Sequence, residues 1–284
     1  MENLDKIHDD FSNGKFKERK GEIVSFENGK AEKETREKIE NLKSKIIQET
    51  LLEYQDKYGE EAESKMEEFL RVMESAQSLY DSGKAPYHNF LHALESLERG
   101  NEIILRCEEG GVNVNKEVAR YAILFHDAGF HKYHDRVNIN EKWRIRFKSK
   151  ERYSSYLASK ELKNNGLPRE TIEEVKKCIM GTHKDAQAKS VEERIVKASD
   201  LIAGFSEDYQ TFKENSEKIR KEQSLLFKNE IPDDIWRKGA KENSNPHLEM
   251  FLNKGDELMD YYTEEGGSHF YEKTQENLEA YSNL

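Results

Sequence analysis

Several residue types are scarce in this chain, and each scarcity excludes a class of protein. The 284 residues include only four prolines and two cysteines, and no stretch of about 18 apolar residues occurs. Few helix-breaking residues favour helices, and the missing apolar run predicts no membrane-spanning segment. Cys107 and Cys178 form neither a CxxC pair nor a zinc-finger spacing, so we expect two buried free thiols.

Charged residues, in contrast, are abundant. They make up 36% of the chain against 35% hydrophobic residues, with a formal net charge of −11. This composition is typical of a helical protein with charged outer faces, and the negative charge argues against nonspecific nucleic-acid binding. Residues 1–20 alternate acidic and basic types without an apolar core, so we expect no signal peptide. The expected compartment is the cytoplasm.

Apolar residues recur at three- and four-residue steps through most of the chain, which predicts an all-α fold. Residues 22–26 suggest a short strand, with disorder as the alternative. Between Lys142 and Lys148, basic and apolar residues alternate, which predicts an exposed strand or a mobile loop inside an irregular insertion over 128–150. The predicted helices cover about 32–58, 61–81, 85–106, 116–125, 151–164, 170–180, 190–204, 206–229, 232–242, 246–262 and 268–281.

Residues of metal-ligand type interrupt these apolar patterns at three places. His88 and His92 stand four residues apart, the pair His126-Asp127 ends an apolar run, and Asp200 lies inside another. A buried carboxylate or imidazole is costly unless it is paired or binds a metal. We therefore predict that His92, His126, Asp127 and Asp200 share one cation.

Two imidazoles and two carboxylates leave coordination positions open on a divalent ion. The mixture suits Mn, Fe, Mg, Zn, Ni or Co without a sharp preference. An open position holds water, whose pKa the metal lowers from about 15.7 toward roughly 7. Asp127 is also suited to bridge to a second ion, so one or two ions are expected. If a helix starts near Pro86, His88 lies one turn before His92 and can protonate a leaving oxygen.

The ordered set His92, His126-Asp127 and Asp200 resembles the HD superfamily of metal-dependent phosphohydrolases over about residues 64–205. Tyr87-His88-Asn89 followed by His92 is similar to the first motif of the cyclic-nucleotide phosphodiesterases, which share that fold. The resemblance implies an all-α, HD-domain-like helical bundle with N-terminal and C-terminal helical extensions. It also implies that the four residues bind metal and that His88 is the proton donor.

Further motifs are similar to those of small bacterial members of the superfamily. They are Glu151-Arg152-Tyr153-Ser154 and Thr182-His183, whereas the insertion at 128–150 departs from the short loop of those members. On this basis Glu151 is predicted to orient water or substrate, and His183 to contact substrate.

The basic run lies near this site in sequence and stands out in an acidic chain. Phosphate capture is therefore predicted for Arg144, Arg146 and Lys148, and a solvated surface is the alternative. The remaining histidines are expected to face solvent: His8, His131, His134, His247 and His269.

The resulting domain organisation has three parts. Residues 1–60 form an N-terminal polar segment and helix, residues 61–205 an HD-type metal-binding core, and residues 206–284 C-terminal helices that pack on the core. The N-terminal helix is expected to pack on the main domain, and a homodimer through this helix is the alternative.

The predicted function is hydrolysis of a phosphoester, in a nucleotide or another small phosphorylated metabolite, by metal-activated water. One alternative is a di-iron oxygenase of the same fold, which needs additional histidine ligands from among His131, His134 and His183. A second alternative is a noncatalytic sensor or scaffold that keeps the metal. The sequence leaves the substrate, the metal and the number of ions open.

Overall fold

The computed structural model of this chain describes residues 29–80, 85–137, 140–252 and 256–284. These residues contain no β-strand, which confirms the all-α prediction. Short 3-10 turns cover Gly59–Glu61, Glu249–Leu252 and Met259–Tyr261. The α-helices, in chain order, are α1 (Gly29–Tyr58), α2 (Ala62–Tyr80), α3 (Phe90–Glu109), α4 (Lys116–Phe125), α5 (Phe130–Val137), α6 (Glu141–Phe147), α7 (Lys150–Asn164), α8 (Arg169–Gly181), α9 (Val191–Phe205), α10 (Tyr209–Phe227), α11 (Asp233–Leu248) and α12 (Gly267–Ser282).

Most helix ends follow from capping residues in the sequence. Asn115 caps α4 by accepting from the backbone N–H of Val118, and Ser190 caps α9 by accepting from that of Glu193. The strand suggested over 22–26 and the charge pattern of residues 1–20 lie outside the described residues.

The insertion departs from the prediction, because it forms two short helices, α5 and α6, rather than a strand or a mobile loop. Asn140 caps α6 by accepting from the N–H of Trp143 at 3.0 Å. Trp143 and Phe147 then lie one helical turn apart, with ring centroids separated by 4.6 Å, and both contact Tyr153 of α7. Trp143 and Phe147 thus share one face of α6 that packs on α7, whereas Ile145 between them is exposed, so the helical spacing and not the alternation decides which side chains are buried.

The helix predicted over 246–262 is also wrong. Pro246 lies in the last turn of α11, and the described residues between Leu248 and Gly267 form no α-helix, only two 3-10 turns and loops. The carboxylate of Asp256 accepts from the Arg194 guanidinium at 2.7 Å and from the Tyr262 hydroxyl at 2.6 Å. These side-chain bonds hold a non-helical turn at this point.

Two hydrophobic cores share the central helices. In the first, α1, α2 and α8 pack around α3 and α4, and Ile46 and Tyr54 of α1 are buried there. In the second, α10, α11 and α12 pack against α3, α4 and α9. Cys107 and Cys178 are buried free thiols, as predicted.

The apolar face of α1 thus packs on the chain's own core, and a homodimer through this helix stays a prediction. Among the described residues, every helix is too short or too polar to cross a bilayer.

Candidate metal centre

The first motif precedes its helix instead of lying within it. Asn89 caps α3, because its side-chain oxygen accepts from the backbone N–H of Leu91 at 2.9 Å and of His92 at 3.3 Å. The predicted helix start near Pro86 is therefore wrong. His88 belongs to the segment before α3, yet its ring centroid lies 5.9 Å from that of His92.

Four side chains converge in the interior of the protein, as the sequence predicted. His92 of α3, His126 and Asp127 at the end of α4, and Asp200 of α9 each offer one ligand atom, and these atoms all lie within 4.8 Å of one another. His92, His126 and Asp127 are at most 2% exposed, whereas the side chain of Asp200 is 23% exposed. The cluster is therefore deeply buried and opens toward solvent at Asp200.

The hydrogen bonds of His126 orient its ring so that Nε2 faces the cluster. Nδ1 of His126 donates to the carbonyl oxygen of Ile123 at 2.7 Å. A carbonyl oxygen only accepts, so Nδ1 carries a proton, and Nε2 is the ring atom left to bind a second proton or a cation. That Nε2 is buried without a hydrogen-bond partner, and it faces carboxylate oxygens of Asp127 at 3.2 Å and Asp200 at 3.4 Å. Nε2 and these two carboxylate oxygens therefore surround a position that favours positive charge, which a proton on Nε2 or a divalent metal ion can supply.

The electrostatics of the cluster agree with this geometry. Burial lowers the pKa of His126, but attraction to Asp127 and Asp200 outweighs it and raises the pKa to about 10. Burial raises the pKa of Asp200, but His126 and His92 outweigh it and hold that pKa well below its usual range. The site therefore draws in positive charge, and the donor set fits a divalent cation.

His92 completes the set from the other side. Its Nε2 lies 3.0 Å from Oδ1 of Asp200, while its Nδ1 is buried without a hydrogen-bond partner. Its ring centroid is 5.3 Å from that of His126. Both imidazoles therefore lie next to Asp200, the carboxylate at which the cluster opens to solvent.

Asp127 is surrounded by cationic or protonatable groups. Its Oδ1 accepts from the Lys150 ammonium at 2.7 Å, and its Oδ2 lies 3.6 Å from Nε2 of His88. Its backbone N–H donates to the Tyr80 hydroxyl at 3.3 Å. Burial raises the pKa of Asp127, but Lys150, His126 and His88 outweigh it and hold the pKa well below its usual range. Asp127 is thus an anion at neutral pH.

Sequence reasoning missed the partner of His88. Glu222 of α10, 2% exposed, forms a short hydrogen bond with Nδ1 of His88. Its other oxygen accepts from the backbone N–H groups of Tyr87 at 3.1 Å and His88 at 3.0 Å. The His88 ring also stacks on Phe130 of α5, with centroids 3.9 Å apart. Glu222 stands between Lys221 and Gln223 in the sequence, so no local pattern marks it.

The predicted phosphate-binding residues lie on the outer side of the insertion. Arg144 is exposed and pairs with Glu141, and Lys148 is exposed. The Arg146 guanidinium lies over the ring of Phe147, 5.0 Å from its centroid. Phosphate binding by Arg144, Arg146 and Lys148 stays a prediction, and the basic residue that reaches the cluster is Lys150.

Glu151 is buried beside Lys150, with its Oε1 3.8 Å from the Lys150 ammonium. His183 follows the end of α8, and its Nδ1 accepts from the N–H of Asp185 at 3.2 Å. A catalytic role for Glu151 and a substrate contact for His183 both stay predictions.

Two of the histidines expected at the surface have a pKa that burial lowers. His134 of α5 packs on Phe130 at a centroid distance of 4.6 Å, and burial lowers its pKa to about 4. Burial also lowers the pKa of His247 on α11. Among the described residues, His131, His134 and His183 do not belong to the four-residue cluster. The additional ligands that an oxygenase needs are therefore not supplied by these three.

Comparison with known proteins agrees with this site. Residues 88–204 match the family model described as HD domain. The matched segment begins at His88 and contains all four residues of the cluster, which confirms the resemblance inferred from the ordered motifs. No curated protein and no solved structure matches the chain. Glu222 and the rest of α10 lie beyond the matched segment.

Proposed function

We propose that this protein is a metal-dependent phosphohydrolase, because residues 88–204 match the HD domain, a module of metal-dependent hydrolases. Its substrate is a phosphoester, in a nucleotide or another small phosphorylated metabolite. The observation that carries the proposal is the convergence of His92, His126, Asp127 and Asp200, whose ligand atoms all lie within 4.8 Å of one another.

His92, His126, Asp127 and Asp200 would hold the cation. When bound, a divalent cation supplies Lewis acidity toward a phosphoryl oxygen and lowers the pKa of water from about 15.7 toward roughly 7. The partial exposure of Asp200 leaves that side of the cluster open to a substrate, whereas Asp127 is buried.

In this proposal His88 donates a proton to the leaving oxygen. Its Nδ1 is held by Glu222, so Nε2 is the ring atom directed toward the cluster, 3.6 Å from Asp127. The stacked ring of Phe130 limits rotation of the imidazole. A proton donor fixed in this way contributes about 10²–10⁴-fold to the rate of such reactions.

The test combines metal analysis with a substrate screen. The metal content of purified protein is measured by mass spectrometry, and phosphomonoesters and phosphodiesters are assayed with added Mn, Mg, Ni or Co. We compare wild type with Asp127→Asn and with Asp234→Asn, which makes the same change at an exposed carboxylate.

We expect bound divalent metal and hydrolysis of at least one phosphoester by wild type and by Asp234→Asn. Asp127→Asn should lose about 100-fold or more of that activity, because it removes a charged ligand. Equal rates for wild type and Asp127→Asn across the panel would instead favour a noncatalytic sensor or scaffold.

A further inference from the structure

The two carboxylate oxygens of Asp127 have separate partners. Oδ2 faces the cluster, 3.2 Å from Nε2 of His126, whereas Oδ1 accepts from the Lys150 ammonium at 2.7 Å. A carboxylate that bridges two metal ions presents one oxygen to each ion. In this protein the second oxygen is already bound to a cation that belongs to the chain.

The ammonium of Lys150 is enclosed on several sides. It lies 3.8 Å from Oε1 of Glu151 and 5.3 Å from the ring centroid of Phe130. Its side chain is 26% exposed, and the carboxylates of Asp127 and Glu151 are 1% and 6% exposed. Two buried carboxylates and an aromatic face thus form a binding site for one positive charge.

The backbone fixes Lys150 at this position. Lys150 is the first residue of α7, and Ser149 caps that helix by accepting from the N–H of Arg152 at 3.3 Å. One turn further along α7, the Ser154 hydroxyl accepts from the backbone N–H of Gly129 at 3.0 Å. A side chain at position 129 would collide with α7. The first turn of α7 is therefore held tightly against the loop that follows Asp127.

We propose that Lys150 replaces a second metal ion, so that the centre binds a single divalent cation per chain. This inference rests on the metal site of the proposed function but not on the identity of the substrate. In two-metal hydrolases the ions lie about 3.5–4 Å apart. A second ion on Oδ1 of Asp127 would have to displace the ammonium, whose charge repels it. Lys150 then supplies fixed positive charge next to the bound cation, where a phosphoryl group carries negative charge.

The experiment counts bound Mn²⁺ in four forms of the full chain. They are wild type, Lys150→Met, which removes the charge at similar length, Lys150→Arg, which keeps it, and Lys160→Met. Lys160 lies on the same helix with 60% of its side chain exposed, so it is the matched control. Each protein is stripped with chelator and titrated with Mn²⁺. Bound metal is measured after desalting, and electron paramagnetic resonance reports exchange coupling between ions.

We expect one equivalent of Mn²⁺ without exchange coupling in wild type, Lys150→Arg and Lys160→Met. Lys150→Met should bind a second equivalent, with a coupled two-ion signal, because Asp127 and Glu151 are left without their cation. Two equivalents or a coupled signal in wild type overturn the proposal, and so does a single equivalent in a folded Lys150→Met.

Circular dichroism and thermal melting establish that each variant is folded. If Lys150→Met does not fold, Lys150→Gln takes its place, and the wild-type count still decides the number of ions. Failure to bind any Mn²⁺ would remove the metal site and with it the proposed function. One tightly bound ion without phosphoester hydrolysis would overturn only the proposed activity.

Discussion

Glu222 contacts the first motif from a position 134 residues further along the chain than His88. A carboxylate with 2% exposure is costly to bury, and here three hydrogen bonds from Tyr87 and His88 offset that cost. At the scale of single residues, the site is therefore a network in which each buried charge has a partner. Removing one partner leaves the other uncompensated.

Glu222→Gln should lower kcat by about 10–100-fold with little change in KM, because the amide no longer holds Nδ1 of His88 as a carboxylate does. The measurement is steady-state kinetics on whichever phosphoester the screen identifies. Glu214→Gln, at an exposed position of the same helix, is the control. Glu222→Asp should recover part of the rate, and a rate unchanged in Glu222→Gln would contradict the assignment.

The same variant has a pH-dependent effect on stability. Burial raises the pKa of Glu222, but His88 outweighs it and lowers the pKa below the ordinary value of 4.5. The stabilisation by Glu222 is therefore full above pH 4.5 and is lost as the pH falls through the lowered folded-state pKa. Urea denaturation of metal-free protein should give wild type about 1–3 kcal/mol more stability than Glu222→Gln at pH 7, with the difference shrinking toward pH 3.

At the scale of helices, the site depends on how closely α3, α4 and α9 approach one another. His92 and Asp200 lie on α3 and α9, and His126 and Asp127 directly follow α4. The three helices pack at Gly100 of α3, where a Cβ would collide with Cδ1 of Ile123 on α4 and lie 3.6 Å from Cβ of Ser199 on α9. A glycine in a helix interior costs about 0.5–1 kcal/mol relative to alanine, and close packing offsets that cost here.

Gly100→Val should separate these helices and weaken the metal site. We expect a loss of about 1–3 kcal/mol in the free energy of unfolding, as for other overpacked cores, together with weaker Mn²⁺ binding. Urea denaturation and Mn²⁺ titration provide the two readouts. Gly239→Ala on α11, where the nearest atom is the Asn243 amide at 3.2 Å, is the control. Normal Mn²⁺ affinity in Gly100→Val would show that the spacing is not critical.

At the scale of the whole molecule, the C-terminal helices are part of the core that supports the site. Phe212, Phe270 and Tyr281 are buried against residues of α3, α4 and α9. The Arg106 guanidinium of α3 donates to the carbonyl oxygens of Tyr261 and Tyr262 at 2.8 and 3.1 Å. The domain boundary predicted after residue 205 stays a prediction. Residues before and after this position pack together in the second hydrophobic core.

A chain that ends at Phe205 should therefore be insoluble or unfolded. Truncation exposes the second core and removes Glu222, so it affects both stability and the site. Solubility after expression and circular dichroism provide the measurement. A chain that ends at Ser282, without Asn283 and the exposed Leu284, is the control and should behave as wild type. A soluble, helical product ending at Phe205 would show that the matched domain folds alone.

The sequence by itself determined the helices and the ligand types, because both depend on local properties. Helical periodicity and capping residues such as Asn115 and Ser190 act within a few positions. A polar side chain in an apolar run, such as Asp200, is visible without any knowledge of the fold. These signals were sufficient for the all-α class and for the four residues that converge.

Only the tertiary structure decided what surrounds those four residues. Lys150 and Glu222 stand in ordinary polar sequence, and only packing brings one to Asp127 and the other to His88. Local patterns also misassigned the insertion. Its conformation depends on the contact of Trp143 with Tyr153 of α7, which the local pattern of residues 142–148 does not contain. The free energy that positions these side chains comes from contacts between segments that are distant in sequence. A local sequence pattern does not determine which of these segments come into contact.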